Sequence, residues 1–181
     1  MKKYIKNKML AELSEWILAI LCMAALFVAA RNFIFRTAFI SGPSMEPTLY
    51  HAERVIILKL PYIFGSPKIN DVVAFPYKEN PSQLFVKRVV GLPGDVVDII
   101  DRRMVINGEE LNDAFAEGLL ISVGDTVFPI TVPDNACFVL GDHRNSSNDS
   151  RFTGVGCINK KEMLGKIVLR FWPLSRFGRV R

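Results

Sequence analysis

Hydrophobic positions follow two different patterns along this chain of 181 residues. The first pattern is the uncharged run from Trp16 to Ala30, WILAILCMAALFVAA, which Arg31 and Asn32 join to the apolar residues 33–35. A helix of about 20 residues, rising about 1.5 Å per residue, crosses the hydrocarbon core of a bilayer. Residues 16–35 are therefore predicted to form a transmembrane helix.

The second pattern begins at residue 36, where short runs rich in Val, Ile and Phe are separated by Pro, Gly, Asn and Asp. This spacing is typical of strands, so residues 36–181 are predicted to form a single all-β domain. The predicted strands are Arg54 to Lys59, Asp71 to Phe75, Leu84 to Val90, Val96 to Ile100, Met104 to Ile106, Thr126 to Val132, Cys137 to Leu140 and Lys166 to Phe171. One short helical turn is expected at residues 160–164.

The dipeptide Asn107-Gly108 lies between two short apolar runs and predicts a β-hairpin. A two-residue type I′ turn needs positive φ at both central residues, which Asn and Gly adopt readily.

The net charge of +5 is concentrated at the ends of the chain, with four lysines in the first eight residues. Basic residues before an apolar run favour a cytoplasmic N-terminus, here residues 1–15, and export of everything beyond the span. The same distribution argues against a nucleic-acid partner. A cleavable signal peptide is the alternative, because Val28-Ala29-Ala30 follows a basic segment and an apolar one.

Three cysteines, Cys22, Cys137 and Cys157, lack the paired spacing of a zinc site, and no cofactor or metal is expected. In an exported domain Cys137 and Cys157 could form a disulfide, and otherwise they are small buried side chains.

The segment SGPSMEPTL places Ser44 between two prolines and a glycine. Neither a helix nor a central strand runs through such a sequence, so Ser44 would lie on a stiff turn with its hydroxyl outward. A surface turn with an incidental serine is the simpler interpretation of this segment alone.

A second segment, QLFVKRVVGLPGD, contains a strand in which Lys87 is flanked on its own face by Phe85 and Val89. Burial among apolar side chains lowers a lysine pKa, and a neutral amine can remove the proton of a serine. Alternatively, the stem of Lys87 packs on the sheet while its amine reaches water.

A third segment, GDHRNSSNDSR, is almost wholly polar and follows the apolar residues 137–140. Asp–Arg pairs and Asx turns could order this loop for a structural or a catalytic role. It has no metal-binding spacing.

These three segments, in this order behind a predicted span, resemble the nucleophile, lysine and late Gly-Asp boxes of the type I signal peptidases. The resemblance covers nearly the whole chain, and the short insertions and single anchor are similar to the smaller Gram-positive type. It implies an antiparallel, partly barrel-like β-fold and a serine protease with a Ser/Lys dyad.

Carried over residue by residue, the resemblance makes Ser44 the nucleophile and Lys87 the general base. Further implied roles belong to residues that support the dyad, Gly42, Met45 and Ser147, and to two structural ion pairs, Arg88–Asp142 and Asp149–Arg151. Ser147 would hydrogen-bond the lysine amine. Two positions depart from the family: Gly42 replaces a serine that helps hold the oxyanion in some members, and His143 replaces an asparagine.

The resemblance also implies the partners and the location. Signal peptides of exported preproteins would be the substrates, cleaved by a single-pass membrane protein whose catalytic domain lies outside the cytoplasm. The lipid bilayer and the secretion translocon are the other expected partners.

Three rival functions are weighed against this interpretation. A Ser-His-Asp hydrolase would need His51 or His143, neither of which lies in a recognisable hydrolase motif. A self-cleaving repressor shares the β-fold but carries a DNA-binding domain instead of a span. In a membrane-tethered binding domain, the three boxes would only be fold-keeping turns.

Overall fold

The computed structural model describes residues 2–111 and 120–180. The chain divides into two compact units, residues 1–35 and 36–181. The first unit is a helix, α1 (Lys2–Phe33), whose segment Glu12–Ala29 is exposed and has a mean hydropathy of 1.9. By length and composition this segment could cross a membrane. Helical structure starts well before residue 16, and it ends short of the expected residue 35.

The second unit consists mainly of short strands. They are β1 (Phe35–Phe39), β2 (Arg54–Leu58), β3 (Val72–Tyr77), β4 (Asn80–Gly91), β5 (Val96–Ile100), β6 (Arg103–Ile106), β7 (Glu109–Glu110), β8 (Ile130–Thr131), β9 (Ala136–Leu140), β10 (Ile158–Asn159), β11 (Gly165–Trp172) and β12 (Gly178–Arg179). One short helix, α2 (Leu60–Phe64), and three 3₁₀ turns, at Arg144–Ser146, Lys160–Glu162 and Leu174–Arg176, complete the described elements.

The strands form two antiparallel sheets. The larger has the order β1-β2-β11-β3-β4-β9-β10, with β12 also paired to β11, and the smaller has the order β7-β6-β5-β8. Among the described residues, the first and last strands of each sheet do not pair with each other, so neither sheet closes. The mainly β fold with antiparallel sheets is as predicted, and these sheets are not closed into a barrel.

The hairpin at Asn107-Gly108 forms as predicted. Both residues have positive φ, 54° and 84°, and they connect the antiparallel pair β6 and β7. The strand predicted from Thr126 to Val132 is reduced to Ile130–Thr131. The reason is that Thr126 donates its N–H to the Arg151 carbonyl, 3.0 Å away, instead of to a neighbouring strand.

Three buried apolar clusters support the larger sheet and the smaller one. Met45 and Leu49 belong to the first cluster, Val73 and Val89 to the second, and Phe138 to the third. The central strands β3, β4 and β9 therefore hold a fixed register, with Lys87 opposite Val73 and Arg88 opposite both Val72 and Leu140.

The two cysteines of this unit, Cys137 and Cys157, are free thiols. Cys137 is paired with Ile158 across β9 and β10, and the residue before Ile158, Cys157, points to the opposite face. Burial raises the pKa of both thiols to about 11, so they behave as small apolar groups.

Candidate active site

Ser44 lies on a compact turn between β1 and β2. The Glu46 N–H donates to the Pro43 carbonyl and the Leu49 N–H donates to the Met45 carbonyl, at 2.9 and 2.8 Å. The side chains of Met45 and Leu49 are fully buried and anchor the turn to the core. Ser44 itself is half-buried, so its hydroxyl is held firmly and still faces a groove.

Lys87 meets Ser44 from the centre of the sheet. Its side chain is 3% exposed, and Nζ lies 2.8 Å from the Ser44 Oγ. Rigid β4 therefore presents an amine to the hydroxyl at hydrogen-bonding distance.

The amine of Lys87 is poorly solvated, and this changes its acidity. Burial lowers the pKa of Lys87 to about 8, although the nearby carboxylates of Asp149 and Asp142 act in the opposite direction. The Phe85 ring, with its centroid 5.1 Å from Nζ, also favours the charged form. Desolvation outweighs these attractions, and a substantial fraction of the amine is neutral near pH 8.

Arg88, the next residue of β4, points to the other face and pairs with Asp142. Its Nε and Nη2 each donate to one carboxylate oxygen at 2.7 Å, and neither side chain is exposed. Such a bidentate pair fixes two segments relative to each other. It joins β4 to the loop that follows β9.

Asp149 and Arg151 form a second buried bidentate pair, with Nε and Nη2 of Arg151 at 2.8 and 2.9 Å from the carboxylate. The guanidinium also donates to the carbonyls of Arg144 and Ser122, while Asp149 accepts the Gly141 N–H at 3.1 Å. This pair therefore orders the loop from Gly141 to Arg151 from within.

The late loop also contacts the nucleophile turn directly. The His143 N–H donates to the Ser44 carbonyl at 3.1 Å. A Cβ built at Gly141 would lie 2.2 Å from the Ser147 Oγ and 2.5 Å from the Ser44 carbonyl oxygen, so the close approach requires glycine.

Ser147 is buried beside this contact, but its hydroxyl makes no hydrogen bond within the described part of the chain. The hydrogen bond expected between Ser147 and the Lys87 amine is therefore not formed in this structure. The amine instead has the Ser44 hydroxyl as its close neighbour.

A groove of about 460 Å³ opens in front of Ser44 and Lys87. One wall is the edge strand β1 with its continuation to Gly42, and the other is the outer half of β4. An extended peptide could lie between two such strand edges and use their backbone groups.

Two contributors to the site were missed from the sequence, Thr48 and Glu53. The Thr48 hydroxyl donates to Asp142 at 2.5 Å and accepts from Arg88 at 3.2 Å. Glu53 is 2% exposed and its carboxylate lies 3.4 Å from Arg170 and 3.2 Å from Arg176. No sequence signal reveals either contact, because the partners are far apart along the chain.

No group of three His, Cys, Asp or Glu side chains that could hold a metal occurs among the residues with described positions. The chemistry available at the site is that of a serine hydroxyl beside a weakly basic amine.

The family model for signal peptidase, peptidase S26, matches residues 13–172. The chain belongs to the signal peptidase S26 family. This membership makes the peptidase a serine endopeptidase.

Relatives of the peptidase match it over most of its length. A signal peptidase I P of Bacillus subtilis subsp. natto is 35% identical over 90% of both chains. A signal peptidase I of Leptolyngbya laminosa is 36% identical over 92% of the peptidase and 83% of its own length. A crystal structure of a signal peptidase I from Enterococcus faecalis is 29% identical, with a TM-score of 0.45 over 56% of the peptidase and 96% of that chain.

Proposed function

We propose that this peptidase removes signal peptides from exported preproteins, with Ser44 as nucleophile and Lys87 as general base. The observation that carries the assignment of residues is the 2.8 Å separation between the Lys87 amine and the Ser44 hydroxyl, in a site where burial lowers the amine pKa to about 8. A base must lie within hydrogen-bond reach of the proton it removes and be neutral at the working pH.

In the first half of the reaction, neutral Lys87 takes the Ser44 proton as Oγ attacks the scissile carbonyl carbon. The tetrahedral intermediate collapses when the ammonium of Lys87 gives that proton to the leaving amine, which departs with the mature protein. Water, deprotonated by Lys87, then attacks the carbonyl carbon of the acyl-enzyme. The ester bond to Oγ breaks, Lys87 returns the proton to Ser44, and the signal peptide leaves.

The developing oxyanion would depend on backbone N–H groups. Gly42 offers no side-chain hydroxyl at the position where some family members have a serine, so the Ser44 N–H and its neighbours carry this task. The late loop supports them, because His143 holds the Ser44 carbonyl in place.

Small residues are the proposed choice at the first and third positions before the cut. The groove in front of Ser44 is lined by apolar side chains that include Ile40, Leu84 and Val86. Shallow apolar subsites of this kind suit alanine, which matches the A-x-A pattern of secretory signal peptides.

We place the active site at the outer surface of the cytoplasmic membrane, with residues 1–15 in the cytoplasm and residues 16–35 as the membrane anchor. The basic N-terminal segment and the apolar exposed face of α1 support this arrangement. The bilayer and the secretion translocon are its proposed neighbours.

The decisive experiment is a preprotein cleavage assay in detergent on wild type, Ser44→Ala and Lys87→Ala. Both variants should lose at least about 1,000-fold in rate, because each removes half of a unit that acts together. Circular dichroism serves as the control for folding. Folded variants that retain cleavage would overturn the assignment of the dyad.

A further inference from the structure

The segment that leads into the nucleophile turn is hydrogen-bonded to the turn at residues 50–53. The Ile40 N–H donates to the Glu53 carbonyl at 2.8 Å, and the Ala52 N–H donates to the Ile40 carbonyl at 3.0 Å. The next bond, from the Gly42 N–H, is to a side chain: it goes to Nδ1 of His51 at 3.3 Å. Two backbone hydrogen bonds are thus followed by a third in which an imidazole is the acceptor.

The solvent-exposed imidazole of His51 has one aromatic neighbour, and Glu53 fixes the turn that carries it. The Phe39 ring meets it edge to face, with ring centroids 5.8 Å apart. Its turn is closed by Glu53, which accepts the Tyr50 N–H at 3.1 Å and faces Arg170 and Arg176. The acceptor nitrogen is therefore presented to Gly42 by a turn that is itself fixed.

Gly42 is the point at which the chain leaves the groove wall and turns toward the nucleophile. Its φ is +93°, a conformation open to many neighbouring values in glycine, and no atom lies within 4 Å of where a Cβ would stand. Gly42 has no side chain to fix its own backbone, whereas the buried side chains of Met45 and Leu49 anchor the turn that follows. The hydrogen bond to His51 adds a restraint at Gly42 itself.

We propose that His51 is a positioning residue for the reaction: by accepting the Gly42 N–H, it fixes the peptide groups between Gly42 and Ser44 for stabilisation of the oxyanion. This inference rests on the proposed function. His51 contacts no substrate in this role, because its Nδ1 acts only as the acceptor of the Gly42 N–H.

Two substitutions test the hydrogen-bond acceptor and the aromatic ring of His51 separately. His51→Asn keeps an acceptor near the position of Nδ1 and loses the contact with Phe39, whereas His51→Phe keeps a ring and loses the acceptor. Measured on a soluble signal-peptide substrate, His51→Phe should reduce kcat about fivefold with KM within twofold of wild type, the effect of one ordinary hydrogen bond. His51→Asn should stay within twofold of wild type, and His51→Ala should resemble His51→Phe.

A second measurement tests stabilisation of the oxyanion separately from the rest of the reaction. A peptide aldehyde with alanine residues at the first and third positions forms a hemiacetal with Ser44, whereas the matching peptide alcohol does not. His51→Phe should lower the ratio of aldehyde to alcohol affinity about fivefold, and His51→Asn should leave it unchanged. Thermal unfolding of each variant, with a midpoint near that of wild type, shows that the fold is kept.

The outcomes distinguish this inference from the function on which it rests. If His51→Phe matches wild type, or if His51→Asn falls as far as His51→Phe, the positioning role of His51 is refuted. An unchanged aldehyde-to-alcohol ratio in His51→Phe and His51→Ala also refutes it. Failure of wild type to cleave, or cleavage by Ser44→Ala, would instead overturn the proposed function.

Discussion

At the scale of single residues, the buried amine of Lys87 sets how activity depends on pH. Its charged form must lose a proton before it can act as base, and the pKa of about 8 places that loss near neutrality. We therefore expect kcat/KM to rise about tenfold per pH unit below about pH 8 and to level off above it. Rates on a soluble peptide between pH 6 and 10 measure this limb. A rise that continues to the ordinary lysine value of about 10.4 would mean that the amine is solvated.

A second prediction at the residue scale concerns Gly141. In Gly141→Ala the new methyl group would clash with the Ser147 hydroxyl and the Ser44 carbonyl, so the nucleophile turn and the late loop must separate. We expect a loss of about 1–3 kcal/mol in stability and at least about tenfold in kcat. Gly178→Ala is the control, because nothing lies within 4 Å of its Cβ position. Equal activity of the two variants would show that the contact is unimportant.

Local sequence predicted some residues of the site better than others. Ser44 and Lys87 were selected because their two segments, with the late loop, resemble family boxes in order, whereas each segment alone also fitted a simpler interpretation. Thr48 and Glu53 were not, since their roles depend on Asp142, Arg170 and other distant partners. The missing bond of Ser147 has the same origin, because the side-chain orientation is decided by tertiary packing.

At the scale of elements, the β6–β7 hairpin is a local structure that can be tested without touching the site. Gly108 has φ +84° and open space around its Cβ position, so Gly108→Ala introduces backbone strain without a clash. We expect a loss of about 1 kcal/mol in the free energy of unfolding and unchanged kcat. Denaturant unfolding beside Gly178→Ala gives the comparison. Equal stability of the two variants would contradict the strain argument.

Element prediction succeeded for the hairpin and for the apolar central strands, and it failed at one sheet edge and in one loop. The hairpin and the central strands β3, β4, β9 and β11 were all predicted within a few residues. β1 was missed because its sequence, FRTAF, mixes polar and apolar residues directly after the predicted span and is mostly exposed at the sheet edge. The loop before β8 was predicted as strand because its apolar and polar residues alternate. The sequence does not reveal that the Thr126 N–H donates to the distant Arg151 carbonyl.

At the scale of the whole catalytic unit, α2 presents apolar side chains from a fixed base. Tyr62 is buried and donates to Asp71 at 2.9 Å, and Lys166 pairs with the same carboxylate. Ile63 and Phe64 face outward, 59% and 86% exposed. An exposed apolar pair on an anchored helix is suited to the interface of a bilayer.

The predicted consequence is a substrate-dependent defect. Phe64→Glu should lower cleavage of a preprotein in vesicles at least about fivefold and leave cleavage of a soluble peptide unchanged. Val127→Glu is the matched control, because Val127 is equally exposed and lies on a different loop. Equal losses on both substrates would count against docking through α2. Phe35 is half-buried, so a charged replacement there gives a less specific test.

The pairing of Ser44 with Lys87 also has a consequence for the timing of activity. These residues are 43 positions apart, Arg88 and Asp142 are 54 apart, and Thr48 and Asp142 are 94 apart. Contacts of such long range form late, since the intervening chain must first be ordered. A newly made molecule therefore carries an unactivated hydroxyl and an ordinary, protonated lysine until β4 packs against the nucleophile turn, and activity appears only once the catalytic unit has folded.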